Sequence, residues 1–210
     1  SEMRQRYWSD DSSGHGEAHH KRVRRNAMGI AQEINRSVDR EVLSAAALTH
    51  DVHRVMRNGS VMPPESLDRV REVLEAAGFD GDIDSVLHCV EVHEEYGFQK
   101  GRVLGPDTIE ADVIQDADNL DAVGPVGVAR LFYFAGDHEN PMYDPDHDTA
   151  DTYDREDLTD TPVQHFHEKL QRLDSAMNTD PGRRRAQQRI SQTRAFIESF
   201  EPDWNATQTI

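Results

Sequence analysis

A run of small and apolar residues, Ala45, Ala46, Ala47 and Leu48, leads directly into His50 and Asp51. His50 follows Ala46 by four residues and so points to the same inward face, while Asp51 is turned about 100° round a helix. Just past a helix end the two groups can still meet at one point. The same intrusion of polar chemistry on an apolar stripe recurs twice. His19 lies four residues before Val23, and Asp118 follows Ile114 by four, with Asp121 three further on. Burying imidazole and carboxylate unpaired is costly. A divalent ion would neutralise them, since both are ordinary metal ligands.

The elements that must deliver these side chains read as helices. Val23, Ala27, Ile30, Ala31 and Ile34 form one stripe over 23–34, and Val42, Leu43, Ala46 and Ala47 form another over 40–50. Pro63 and Pro64 open a segment with Leu67, Val70 and Leu74 on one face that stops near Gly78. Ile83, Val86, Leu87 and Val90 make a fourth stripe. Asp107 and Glu110 resemble a capping box before Val113, Ile114 and Ala117, and Gly124-Pro125 interrupts the chain beyond them. Thr161, Pro162 and Gln164 form a fuller start signal ahead of Val163, Phe166, Leu170, Leu173 and Met177. Asp180-Pro181 starts the last helix, with Ala186, Ile190 and Ile197 facing in. No alternating strand or hairpin turn stands out, so the fold is expected to be all-α. The stretch from about 135 to 161 is acidic and poor in apolar residues. A loop of that length is either a solvated connection or a lid over a site.

The 210 residues suit one domain over 1–210. The formal charge is −17, from 24 Asp and 16 Glu against 20 Arg and only 3 Lys. Nucleic acid and anionic membranes are repelled by such a chain, and neither is expected as a partner. The acid is dispersed along the chain, a pattern suited to concentrated salt, where at about 1 M the screening length falls to roughly 3 Å. A halophilic protein is the expectation. A single cysteine, Cys89, excludes an internal disulfide. The sequence given carries no basic-then-apolar N-terminal segment, so a cytoplasmic location is expected.

Taken in order, "HHKRV", "THDV", "QDADNLDAVG" and "HFHEKL" resemble the HD-domain superfamily of metal-dependent phosphohydrolases, within it the single-domain bacterial and archaeal hydrolases. The resemblance runs from about His15 to Phe200. It implies an all-α HD-domain helical bundle and one divalent ion held by His19, His50, Asp51 and Asp118. Asp118 is preferred to Asp116 because the family's last ligand sits in an Ala-Asp-x-Leu context, matched by Ala117-Asp118-Asn119-Leu120. Asn119 stands where many relatives have arginine, and "GHGEAHH" where relatives often carry His-Asp-Trp. His15 and Asp121 are the candidates for supporting the ligands from behind.

Two neutral imidazoles and two carboxylates leave a divalent ion near neutrality with positions open to water and a phosphate oxygen. The ion can then acidify the water and polarise phosphorus. Asp51 is a candidate general base. Mn, Fe, Co, Ni, Zn and Mg all remain open, with Mg less favoured by two histidines. Lys169, in one polar stripe with His165 and Arg172, is a candidate phosphate contact, as is Arg22, three residues after His19. Arg22 has an ion pair with an acid as its other reading. His93 falls on the inward face and is a candidate for substrate or for a second ion, whereas His53, His88, His138 and His147 are expected to be solvated. The expected activity is hydrolysis of a phosphoester or phosphoanhydride in a small phosphorylated metabolite, favouring a nucleotide, such as a triphosphate cut to monophosphate and pyrophosphate. Two alternatives are a cyclic or linear nucleotide phosphodiesterase and a non-catalytic nucleotide sensor.

Overall fold

The computed structural model describes residues 14–52, 65–98, 104–146 and 161–206, and among these every regular element is helical. The chain runs α1 (Glu17–Ala31), α2 (Arg40–Thr49), α3 (Glu65–Ala76), α4 (Ile83–Val92), α5 (Ile109–Asp121), α6 (Gly124–Asp137) and α7 (Pro162–Glu168). A 3-10 turn (Leu170–Arg172), the short α8 (Leu173–Ala176) and the long α9 (Asp180–Ala206) complete it. No described helix is long and apolar enough to cross a membrane.

Local chemistry sets most of the starts. Asp39 caps α2 by accepting from Glu41 N and Val42 N, Asp82 caps α4 through Ser85 N, and Thr161 caps α7 through Gln164 N at 3.2 Å. Two starts differ from the sequence reading. The cap of α5 is Thr108, whose hydroxyl accepts from Ala111 N, so the Asp107–Glu110 pairing is displaced by a residue that sits in register. Gly124-Pro125 does not only interrupt. It begins α6, because Gly124 takes a left-handed φ of 81° that turns the chain sharply out of α5, and proline suits the first turn. As α6 continues to Asp137, the acidic connection begins later than residue 135. Residues 147–160, Pro63 and Pro64, His53 and His147 lie outside the described residues.

The helix α5 is the hub, packed against α1, α2, α4, α6 and α9. Val113, Ile114, Ala117 and Leu120 are fully buried there, against Val23, Ala27 and Ile30 of α1 and Leu43 and Ala46 of α2. A helix buried nearly all round should be apolar all round, yet α5 also buries Gln115, Asp116, Asn119 and Asp121. Gln115 and Asp116 are accounted for by fastening. The Gln115 amide donates to the carbonyls of Val92 and Glu95, at the end of α4. Asp116 accepts from Asn178 N at 2.8 Å, Thr179 N at 2.9 Å and Thr179 Oγ1 at 2.6 Å, which holds the start of α9. Gly182 permits that approach, since a Cβ there would lie 2.2 Å from Asp116 Oδ2. The carboxylate of Asp116 is therefore committed to α9.

Candidate metal centre

Three helices bring His19, His50, Asp51 and Asp118 together. His19 sits in the first turn of α1, His50 is the residue that ends α2, and Asp118 is in the last turn of α5. Chain continuation past the end of α2 lets Asp51 swing in beside His50. His19 Nε2 lies 3.0 Å from His50 Nε2, 3.3 Å from Asp51 Oδ2 and 3.4 Å from Asp118 Oδ1. His50 Nε2 is 3.7 Å from Asp51 Oδ2 and 3.6 Å from Asp118 Oδ1. Ligands about 2.1 Å from a common ion stand roughly 3.0–3.4 Å apart, and these separations are close to that. His19, His50 and Asp51 are buried, and the Asp118 side chain, 19% exposed, faces the open side.

Both imidazoles are oriented from behind. His19 Nδ1 donates to Asp121 Oδ2 at 2.7 Å and His50 Nδ1 donates to the Ala47 carbonyl at 3.1 Å. With the proton on Nδ1 in each ring, two Nε2 lone pairs face one another across 3.0 Å. Only a proton or a cation between them relieves that repulsion. Burial would lower the pKa of His50, but Asp51 and Asp118 outweigh it and hold it up at about 9. Burial would likewise raise that of Asp118, yet the hydrogen bond and charge of His50 hold it far below the usual carboxylate range. The donor set thus attracts positive charge, and it fits a divalent ion.

Asp121 is held by three cationic or donor groups. Besides His19, Arg22 bonds it through Nε at 2.7 Å and Nη2 at 3.0 Å, and Arg130 of α6 through Nη1 at 2.9 Å. Burial opposes ionisation here, but these partners keep its pKa at about 2. Of the two readings of Arg22, the structure shows the ion pair with Asp121. One turn beyond His19, it reaches the carboxylate that His19 uses.

Around Asp51 stand further imidazoles. His15 Nδ1 is 2.7 Å from Asp51 Oδ2, with its side chain 24% exposed. His93, which ends α4, donates from Nδ1 to the Val90 carbonyl, and its Nε2 lies 3.8 Å from Asp51 Oδ1. His20 was missed by the sequence reading. It is buried with its ring 5.0 Å from that of His50, and burial, then His50, pushes its pKa down to about 3. Spacing held the signal, because His20 precedes Val23 by three and Ala27 by seven. Lys169, at the end of α7, lies 4.7 Å over the ring of Tyr96, three residues past His93. His165 on α7 is pushed down to about 3 by burial and then by Lys169, so it stays neutral. His88 lies 2.6 Å from Asp107, and His138 stacks on Phe134 at the end of α6.

Known proteins share the sequence pattern and the fold of this chain. The sequence pattern of the HD domain matches residues 16–123, a span that begins just before His19 and ends just after Asp121. The uncharacterized protein YpgQ of Bacillus subtilis is 33% identical over 201 residues, covering 93% of this chain and 87% of that one. A solved structure from Lactobacillus plantarum superposes with a TM-score of 0.78 at 29% identity, covering 96% of this chain and 92% of the other. An HD-superfamily hydrolase from Bacillus thuringiensis gives 0.68 at 29%, covering 97% and 93%. The crystal structure of B. subtilis YpgQ in complex with ADP gives 0.68 at 30%, covering 96% of each chain.

Proposed function

The chain belongs to the HD-domain superfamily of metal-dependent phosphohydrolases, and on that footing we propose that it hydrolyses a phosphoanhydride or phosphoester of a nucleotide at a single divalent ion held by His19, His50, Asp51 and Asp118. The observation that carries the metal assignment is the pair of Nε2 lone pairs 3.0 Å apart, each fixed by an Nδ1–H bond behind it and flanked by two carboxylates. A nucleotide is favoured because YpgQ, similar over nearly its whole length, was solved in complex with ADP.

When bound, the ion lowers the pKa of a water and polarises a phosphate oxygen. The chain's own residues do the rest. Asp118 and His15, the partly open members of the cluster, face the side from which substrate enters. Asp51 has one oxygen among the ligand atoms and the other toward His93, so it can take the proton of the attacking water on Oδ1. His15, bonded to Oδ2, fixes the carboxylate's orientation. Asp121, held by Arg22 and Arg130, keeps the His19 ring in its ligating tautomer. Lys169 supplies positive charge beyond His93, suited to a substrate phosphate.

Phosphorus NMR of the protein with nucleoside mono-, di- and triphosphates, in Mn²⁺ and high salt, tests the reading beside an Asp51→Ala control. Pyrophosphate or phosphate release by the wild type and its loss in the control is the expected result. No release from any member by metal-loaded protein refutes nucleotide anhydride and monoester cleavage. A metal stoichiometry of two per chain, with His93 and Asp51 Oδ1 as the second set, would favour the diesterase reading instead.

A further inference from the structure

The outer side of α6 carries no charge, although the chain around it is rich in charge. From Pro125 to Gly136 the one charged residue is Arg130, and that side chain turns inward to the Gly14 carbonyl and Asp121. Charged residues make up 30% of the sequence, so a solvent-facing helix without them calls for a cause. Val126, Ala129, Tyr133 and Gly136 are exposed together, at the spacing of one helical face. Among the described residues five large apolar side chains are exposed, and three of them gather here: Val126 at 48%, Tyr133 at 52% and, on the neighbouring α9, Phe196 at 41%. Phe132 joins the two helices, with its ring centre 5.6 Å from that of Phe196 and 5.3 Å from that of Phe200. Gly124 N donates to Thr193 Oγ1, so α6 and α9 run side by side in the same direction.

We infer that this face joins two copies of the chain about a twofold axis, α6 against α6 and α9 against α9, each pair antiparallel. Two patterns fit a second copy. The first is size. In an antiparallel pair centred on Leu131, Val126 comes opposite Gly136 and Ala129 opposite Tyr133, a large residue against a small one each time, as a self-complementary twofold interface requires. The second is charge. Past Asp180, α9 carries Arg183, Arg184, Arg185, Arg189 and Arg194 without an acid, then Glu198, Glu201 and Asp203 without a base. Turned about Phe196, the basic half of α9 in one copy lies along the acidic half in the other. The two centres agree, because the ring of Phe132, next to Leu131, touches Phe196. One axis in the plane of the face therefore serves both helices. Aromatic residues in the middle with charge kept to the ends are the usual make-up of an interface core and rim.

Sedimentation equilibrium in 2 M KCl, where repulsion between two chains of charge −17 is screened, makes the test. The wild type is expected at twice the 23.8 kDa of one chain. Tyr133→Asp is expected to raise the dissociation constant roughly 30-fold or more, as the loss of a central aromatic anchor does. Ala129→Tyr should weaken association by setting two large side chains opposite one another, and Ala129→Tyr combined with Tyr133→Ala should restore it. Both positions are exposed, so circular dichroism and Mn²⁺ affinity should match the wild type and separate a lost interface from a lost fold. A wild type that stays monomeric at roughly 100 μM, a dimer indifferent to Tyr133→Asp, or a double variant no better than Ala129→Tyr each overturns the inference. The first of these would leave the face to a different macromolecule.

Discussion

His19 Nδ1 and Asp121 Oδ2 meet at 2.7 Å across 102 residues of chain, and Asp121 adds no atom to the group formed by the two Nε2 nitrogens, Asp51 and Asp118. Its influence runs through the ring it orients. Asp121→Asn keeps the size of the side chain and removes the charge that balances Arg22 and Arg130. Mn²⁺ affinity, measured by calorimetry, is expected to fall roughly 10- to 100-fold, the range for such supporting carboxylates. An unchanged affinity would mean that the His19 ring needs no orienting partner.

Gly182→Ala tests the junction between α5 and α9. The added Cβ would stand 2.2 Å from Asp116 Oδ2 and 2.9 Å from Thr179 Oγ1, and both lie in a network with little room to shift. Urea denaturation should show a loss of about 1–3 kcal/mol, the usual range for overpacking, with the slope of the transition unchanged.

Cys89 gives a probe of global opening. The thiol is fully buried in α4, and burial, then the charge of Glu110, pushes its pKa up to about 12. At pH 8 the thiolate fraction is roughly one in ten thousand. A disulfide reagent should label the native protein far more slowly than the denatured protein, and because the thiol reacts only once opened, the native rate should rise with pH and level off near the ordinary thiol value of about 8.5. Fast labelling in native buffer at pH 8 would contradict the packing of α4 on α2 and α5.

Salt should raise activity. An anionic substrate approaching a chain of formal charge −17 is repelled in dilute buffer, and at about 1 M salt screening shortens that repulsion to roughly 3 Å. Initial rates measured from dilute buffer to 2 M KCl are expected to rise before they level off. A steady fall over that range would remove the case for adaptation to salt.

His19, His50 and Asp118 were legible in the sequence because each extends an apolar stripe by one helical turn, and the helix period says where the next side chain points, whereas Asp51 came from its place beside His50 and from the family resemblance. Asp121 was legible for the same reason, three residues beyond Asp118. Arg22 was not, since its partner is 99 residues away and nothing local distinguishes a substrate contact from an ion pair. Arg130 was hidden with its helix. In α6, three glycines among Val126, Val128, Leu131, Phe132 and Phe134 blur any stripe, and the Gly-Pro pair reads as a break. The amide of Gln164 was read as part of a cap, and only the tertiary structure leaves it unmatched.

The backbone itself takes part in the choice of ion. His50 ends α2, His93 ends α4, and Asp118 and Asp121 occupy the last turn of α5, so three helices bring carbonyl ends, each equivalent to roughly half a negative charge, to the centre where only α1, through His19, brings an N-terminal turn. Peptide dipoles do not titrate and cannot be removed by exchanging side chains. Amide replacements of Asp51 and Asp118 would therefore reduce the attraction for a cation without abolishing it, and the pocket would still discriminate against anions.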